Sequence, residues 1–335
     1  MRKLNQSALL QSARCLVGAA VLAAMPAIAG AAAEQFVVLD NPGDPHFNQL
    51  LGINNARIIV GYFGDGTVVA NNGYVLVPHN HYSVENFTHL ASGDKASQTQ
   101  AIGIDNDARA PNIVGFYTDN KTGFTHGFLD ANGVQVAVDD PLGSSPHVSA
   151  PLQNLLGTNV RNQSAGFWVD NSGHEHGFVA RLSTVTNKFS FTEIPPSVFK
   201  GAVATQASNI NDSSEVCGFW TDANGISHGF VGTLGVHYRS FEAVIPGVSV
   251  VSTQAFGCNN NGAIVGQFTD SGGAIHGFIY EAGTYQAFDA PGSSQKAEFG
   301  VQGTLINGIN DFGDIVGFFS DGVSSVKSFV RYAAD

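Results

Sequence analysis

Phe36-Val37-Val38-Leu39-Asp40-Asn41-Pro42-Gly43 stands alone near the start of the chain, with nothing before it to which it belongs. Its aromatic-x-x-apolar-Asp-x-Pro-Gly spacing returns at Tyr285-Gln286-Ala287-Phe288-Asp289-Ala290-Pro291-Gly292, where it closes a longer unit. That unit opens with a Gly-Ile-Asn signature, passes a turn into Val-Gly-aromatic, and passes a second turn into His-Gly-Phe. Copies begin at Gly52, Gly103, Gly157, Asn209, Gly257 and Gly308, a spacing of about 51 residues. Five copies run on into a further segment, but the sixth stops after Ser328-Phe329-Val330-Arg331-Tyr332. The isolated N-terminal stretch is therefore the segment that the last copy lacks.

Pairing the start of the chain with its finish closes a ring. An open strand edge exposes unpaired backbone groups, and a closed ring of repeats removes the terminal faces that a linear stack must cap. The expected fold is all-β: a six-bladed β-propeller of four-stranded blades, residues 34–335 forming one domain, with the N-terminal strand completing the last blade.

Residues 1–33 read as a secretory leader, because Arg2, Lys3 and Arg14 precede an apolar run from Leu16 to Ala29 that ends among small residues. No membrane span is expected once it is removed, and the destination is the periplasm or the medium. The formal net charge is −12, and losing those three basic residues makes the remainder more acidic still, which argues against nucleic acid as a partner. Cys15 leaves with the leader. Cys217 and Cys258 occupy repeat positions held elsewhere by Val or Ile, so two buried thiols are expected, with a disulfide between adjacent blades as the alternative.

Within the fifth copy, Thr253–Cys258, Ala263–Thr269, Ile275–Tyr280 and Tyr285–Asp289 read as four strands separated by Asn-Gly and Asp-x-x-Gly turns. Gly61, Gly115, Gly166, Gly218, Gly266 and Gly317 fall mid-strand at one repeat position, where close approach of a neighbouring blade is expected. Counting back from the Asp222 to Gly225 turn sets His228 opposite Phe219. The repeat histidines His126, His176, His228 and His276 are accordingly expected to pack on an aromatic ring and bond backbone. Turn aspartates such as Asp222, and the asparagines that follow Gly-Ile, are expected to bond their own backbone.

These triplets and their spacing resemble the bacterial extracellular HAF repeat family, named for a His-Ala-Phe-like triplet that here reads His-Gly-Phe. The resemblance covers the chain from Gly52 onward and implies an extracellular repeat protein without assigning any catalytic residue. Copies one and six depart from it, with Asn72-Gly73-Tyr74 and Lys327-Ser328-Phe329 in place of the triplet.

Candidate binding residues lie where fourth strands lead into the next first strand, around the mouth of the channel. Those loops carry His46, Lys95, His147, Lys200 and Lys296. Three residues before each Gly-Ile-Asn stand Gln49, Gln100, Asn154, Gln206 and Gln254, with Leu305 in the sixth copy. A ring of amides behind a mildly basic rim suits an anionic or hydroxyl-rich ligand. His79 and His81 form a His-x-His pair, a weak metal candidate because no third ligand is assured. No cofactor is expected; the alternative is calcium on the inner ring of acids and amides, although no copy has the clustered carboxylates of a calcium loop.

Nucleophile elbows, zinc-protease motifs, phosphate loops and Cys-x-x-Cys pairs do not occur. The expected role is an exported recognition or scaffold protein binding a carbohydrate, a small anion or an extracellular partner protein at the channel mouth. One alternative is a secreted hydrolase or lyase using that mouth, with calcium as its candidate cofactor; another is a structural component of an envelope or matrix.

Overall fold

A computed structural model describes residues 35–77, 81–83 and 96–334, the side chains of 81–83 excepted. The leader-like residues 1–33, Lys95, His79 and the side chain of His81 lie outside the described residues. Six antiparallel four-stranded sheets account for the strands. The first blade contains β2 (Asn48–Ile53), β3 (Ile59–Phe63), β4 (Asn72–Val77) and β5 (His81–Ser83), and the second β6 (Ala96–Ile104), β7 (Ile113–Asp119), β8 (Thr125–Ala131) and β9 (Val134–Val138). The third contains β10 (Gln153–Asn159), β11 (Gln163–Val169), β12 (Glu175–Leu182) and β13 (Phe189–Ile194). The fourth contains β14 (Ala202–Ile210), β15 (Glu215–Asp222), β16 (Ser227–Thr233) and β17 (His237–Phe241), and the fifth β18 (Val250–Cys258), β19 (Ile264–Asp270), β20 (Ile275–Glu281) and β21 (Thr284–Phe288). The sixth is built from β22 (Thr304–Ile309), β23 (Ile315–Ser320), β24 (Val326–Tyr332) and, from the other end of the chain, β1 (Gln35–Leu39).

The closure has the expected register, with Phe36 opposite Arg331 and Leu39 opposite Ser328. Phe36 stacks on Phe329 at 5.4 Å, so the joint is apolar as well as hydrogen-bonded. Each blade's first strand contacts those of both neighbours around the full circle, and the protein is a six-bladed β-propeller. The core lies between blades: Val265 on β19 clusters with Ile309 on β22, and Val316 on β23 with Ile53 on β2. No helix among the described residues is long and apolar enough to cross a membrane.

Three sequence expectations need correction. The mid-strand glycines make room for their own blade: a Cβ at Gly61 or Gly218 would strike the carbonyl of Gln49 or Gln206, where the first strand bulges. Neighbouring blades meet instead at the signature glycines, since a Cβ on Gly52 would lie 2.7 Å from the Ile102 carbonyl and one on Gly308 2.8 Å from that of Leu51. His228 pairs with Trp220, not Phe219. The turn closes from Asp222 to Ile226 with Gly225 at φ +80°, and this extra residue moves the register by one. Cys217 and Cys258 form a disulfide, their Cα atoms 6.2 Å apart. It joins the second strand of blade 4 to the first strand of blade 5, at positions where three other junctions pack Val against Ile.

Candidate functional site

The six turns between first and second strands close one end of the channel with two rings of hydrogen bonds. In each ordinary blade the asparagine after Gly-Ile accepts two backbone N–H groups of its own turn, as Asn259 Oδ1 does from Asn261 and Ala263. Its Nδ2 donates to the same position of the next blade: Asn211 to the Asn259 carbonyl at 3.0 Å, Asn259 to that of Asn310 at 2.9 Å, and Asn310 to that of Asn54 at 3.2 Å. The expected turn-forming role is present, and the amide's second half ties blade to blade.

One residue further on, backbone N–H groups donate to side chains of the following blade, from Asp212 to Asn260 Oδ1, from Asn260 to Asp311 Oδ1 and from Asp311 to Asn55 Oδ1. Both rings are interrupted between blades 2 and 3. Asp105 has no donor to offer the Asn159 carbonyl, and Val160 has no acceptor for the Asn106 N–H. Asn106 instead reaches past blade 3 to Asp212 Oδ2 at 3.2 Å. Burial holds the Asp105 carboxyl above the usual carboxylate range.

Above this floor the channel encloses a cavity of about 240 Å³. First-strand side chains alternate between core and channel, so Gln49 and Leu51 face the cavity while Leu50 is fully buried behind them. Among the predicted amides, Gln49, Gln100 and Gln206 line the cavity, and Asn154 and Gln254 do not. Gln100 donates to Asn71 Oδ1 of blade 1 at 2.7 Å, and Gln254 to Ser227 Oγ of blade 4 at 3.1 Å.

None of the described cationic rim residues lines the cavity. His46 lies 3.4 Å from Ser325 Oγ, Lys296 is paired with Glu298 at 2.8 Å, and His147 and Lys200 are exposed on their loops. The charged groups on the cavity wall are Asp212 and Asp311, each with an oxygen held by two amide donors. Among the described residues no group of three or more His, Cys, Asp or Glu is arranged to hold a metal ion.

Sequence reasoning missed the next tier of the wall, where Leu51, Ile102, Leu156, Ser208, Phe256 and Asn307 project into the channel. The signal was available, because a strand carrying one amide inward carries the residue two positions on inward as well.

The repeat histidines stack as expected on the aromatic residue across the hairpin, His228 on Trp220 and His176 on Trp168, both at 4.1 Å. Where backbone was the expected partner, they bond carboxylates: Asp139 for His126 at 2.7 Å, Glu242 for His228, and Asp289 for His276 at 2.9 Å. Blade 3 has Pro195 where the others have that acid, and His176 turns to Asp170 at 3.1 Å. The turn aspartates Asp222 and Asp270 accept backbone N–H groups that hold their carboxyls below the usual range.

A second acidic feature lies beside blade 3. Asp140, on the linker after β9, is 1% exposed, and the Glu193 carboxyl meets both it and the Trp168 indole. Burial and the Asp140 carboxylate push Glu193 up to about 8. Near neutral pH Glu193 therefore holds a proton.

Neither a protein-family model nor the sequence of a curated protein matches the chain. Solved structures share its fold. Trypanosoma rangeli sialidase matches with a TM-score of 0.51 at 9% identity over 89% of this chain; the chain spans 59% of the length of that sialidase. A mutant Aleuria aurantia lectin in complex with Fucα1-6GlcNAc matches with a TM-score of 0.50 at 12% identity, over 86% of this chain and 95% of the lectin. AofleA from Arthrobotrys oligospora matches with a TM-score of 0.50 at 11% identity, over 89% of this chain and 86% of that one. These likenesses place the chain among the β-propellers.

Proposed function

We propose that this protein is an exported carbohydrate-binding propeller that holds a monosaccharide-sized ligand in its axial cavity. The carrying observation is the composition of that wall, in which the amides of Gln49, Gln100 and Gln206 stand beside apolar surface from Leu51, Ile102 and Phe256. Hydroxyl groups suit the amides, and the C–H faces of a sugar ring suit the rest. At about 240 Å³ the cavity falls below the usual drug-sized range of roughly 300–1,000 Å³, which favours a single ring over an oligosaccharide.

A small anion fits less well, because both charged groups on the wall are acidic. Catalysis by Asp212 and Asp311 would require carboxylates free to move a proton, whereas both are engaged by amide donors. Export draws support from the leader-like residues 1–33 and from the disulfide, a bond typical of oxidising compartments. The lectin found with Fucα1-6GlcNAc on the same fold is compatible with the reading.

Titration calorimetry of the purified protein against neutral monosaccharides tests it. Binding that drops at least about tenfold in a Gln100→Ala, Gln206→Ala variant, but persists in Lys200→Ala, Lys296→Ala, is the expected result. The opposite pattern moves the ligand to the rim, and no binding to any sugar rejects the reading.

A further inference from the structure

Blade 3 breaks the symmetry of the ring on the floor side of the propeller. The turn from β10 to β11 and the link from β12 to β13 emerge at that end, because successive strands of the blade run antiparallel. Between them lies an open groove of about 430 Å³, lined by Arg161 on the turn, Arg181 on β12, Ser183 and Thr184 on the link, and Ser190 on β13. It shares no residue with the axial cavity.

Both arginines are peculiar to this blade. Arg181 lies three residues past Phe178, the β12 aromatic paired with Gly166, and the matching positions elsewhere hold Val77, Ala131, Thr233, Glu281 and Tyr332. Arg161 stands two residues after the turn asparagine, where blades 1, 4, 5 and 6 have Ala56, Ser213, Asn261 and Phe312. The link, residues 183–188, is longer than its counterparts at 132–133, 234–236 and 282–283. It is nonetheless tied down: the Ser183 N–H donates to the Lys188 carbonyl at 3.0 Å, and the Asn187 N–H to that of Ser183 at 2.8 Å. The Leu182 N–H donates to the Asn162 carbonyl at 2.9 Å, which joins the two walls of the groove.

Charge is the second irregularity. The chain has a formal net charge of −12, and Arg57, Lys296 and Lys327 are paired with Asp314, Glu298 and Asp40. Arg161 and Arg181 are exposed and form no ion pair among the described residues, and no acid lines their groove. Two like charges gathered at one groove repel, and an anion between them removes that cost.

We infer that this groove binds a tetrahedral oxyanion, a phosphate or sulfate group, either free or as the ester of a sugar. Each guanidinium offers a planar fork to a pair of oxygens. The hydroxyls of Ser183, Thr184 and Ser190 add single donors; Ser183 Oγ accepts the Thr186 N–H at 3.2 Å and keeps its own proton to give. A carboxylate has too few oxygens to use that whole set, whereas a tetrahedral group can. The site is separate from the axial cavity, whose charged wall residues are acidic, so its fate does not decide the carbohydrate reading.

Calorimetry of the purified protein at low ionic strength against inorganic phosphate, inorganic sulfate, glucose 6-phosphate and acetate tests the inference. One saturable site for phosphate or sulfate with a Kd of about 1 mM or tighter is expected, with acetate at least about tenfold weaker. Glucose 6-phosphate binding tighter than inorganic phosphate assigns the group to a sugar ester; equal or weaker binding assigns it to the free ion. Arg161→Gln and Arg181→Gln should each weaken phosphate binding at least about tenfold. A double Arg161→Lys, Arg181→Lys variant keeps both charges, loses both forks and should bind at least about threefold more weakly. Both side chains are exposed, so unchanged melting temperatures should show that the variants are folded. Lysine variants that bind as tightly as wild type, acetate that binds as tightly as phosphate, or no saturation by about 10 mM each overturn the inference. So does loss of phosphate binding in the Gln100→Ala, Gln206→Ala variant, which would move the anion to the axial cavity.

Discussion

Lys327 of the sixth blade lies 3.1 Å from Asp40 of the N-terminal strand, and the pair occupies the place that His276 and Asp289 hold one blade earlier. The blade that lost its histidine kept a cation there, and the acid that meets it arrives from the opposite end of the chain. Closure thus reproduces the internal pairing of blades 2, 4 and 5. The ion pair itself is solvent-accessible, so Lys327→Met should destabilise by less than about 1 kcal/mol. Deleting residues 35–39 removes a whole strand and the Phe36–Phe329 stack, and should destabilise by on the order of 5 kcal/mol. Thermal melts of the two variants separate the joint from its ornament; equal effects would show that the strand contributes little.

The Cys217–Cys258 disulfide spans a separation of 41 residues and should contribute about 4 kcal/mol by restricting the unfolded chain. Reduction by dithiothreitol should lower the melting temperature by about 8 °C. A Cys217→Val, Cys258→Ile variant restores the residues found at other junctions, so it should be insensitive to reductant. It should melt between the oxidised and reduced forms, because its side chains refill the space while the cross-link is gone.

Closure and blade count were legible in the sequence because they depend on spacing alone, which Phe36 and Leu39 share with Tyr285 and Phe288. The His228 register was misread because a Gly at positive φ adds one residue to the turn, and nothing in an Asp-x-x-Gly string separates that turn from the shorter one. The disulfide was underweighted for a different reason. Aligning the repeats puts Cys217 and Cys258 on positions that pack together at other junctions, as Val265 and Ile309 do, but this becomes visible only once the strand-to-strand contact between blades is known. The rim cations drew attention by type, yet the cavity lies deeper, where Ser208 and Phe256 look like ordinary strand residues until the channel gives them a direction.

The asparagine ring makes a prediction about one atom. Asn259→Asp keeps the turn-forming acceptor and removes the donor to the Asn310 carbonyl, the change that Asp105 represents naturally. It also places a carboxylate at a buried position, so it should destabilise by about 2–4 kcal/mol. Asn261→Asp, two residues away and exposed, removes a comparable bond to the Asp311 carbonyl and should cost less than about 1 kcal/mol. Urea denaturation of both variants decides whether burial of the ring bond sets its worth.

Glu193 ties stability to pH in a calculable direction. Its folded carboxyl titrates near 8, above the ordinary 4.5, so across that interval the folded state holds a proton that the unfolded chain has released. Its contribution is complete at acid pH and is lost as pH rises through about 8, with a limiting slope of about 1.4 kcal/mol per pH unit. Glu175, which burial alone pushes up to about 7, adds a decline of the same sign that is largely over by that pH. The interval from about pH 7 to about pH 8.5 therefore isolates Glu193. Wild-type melting temperature should fall across it, and Glu193→Gln, which retains a donor for Asp140 without titrating, should stay level. A parallel fall in both proteins would show that the Glu193 proton is not what the fold depends on.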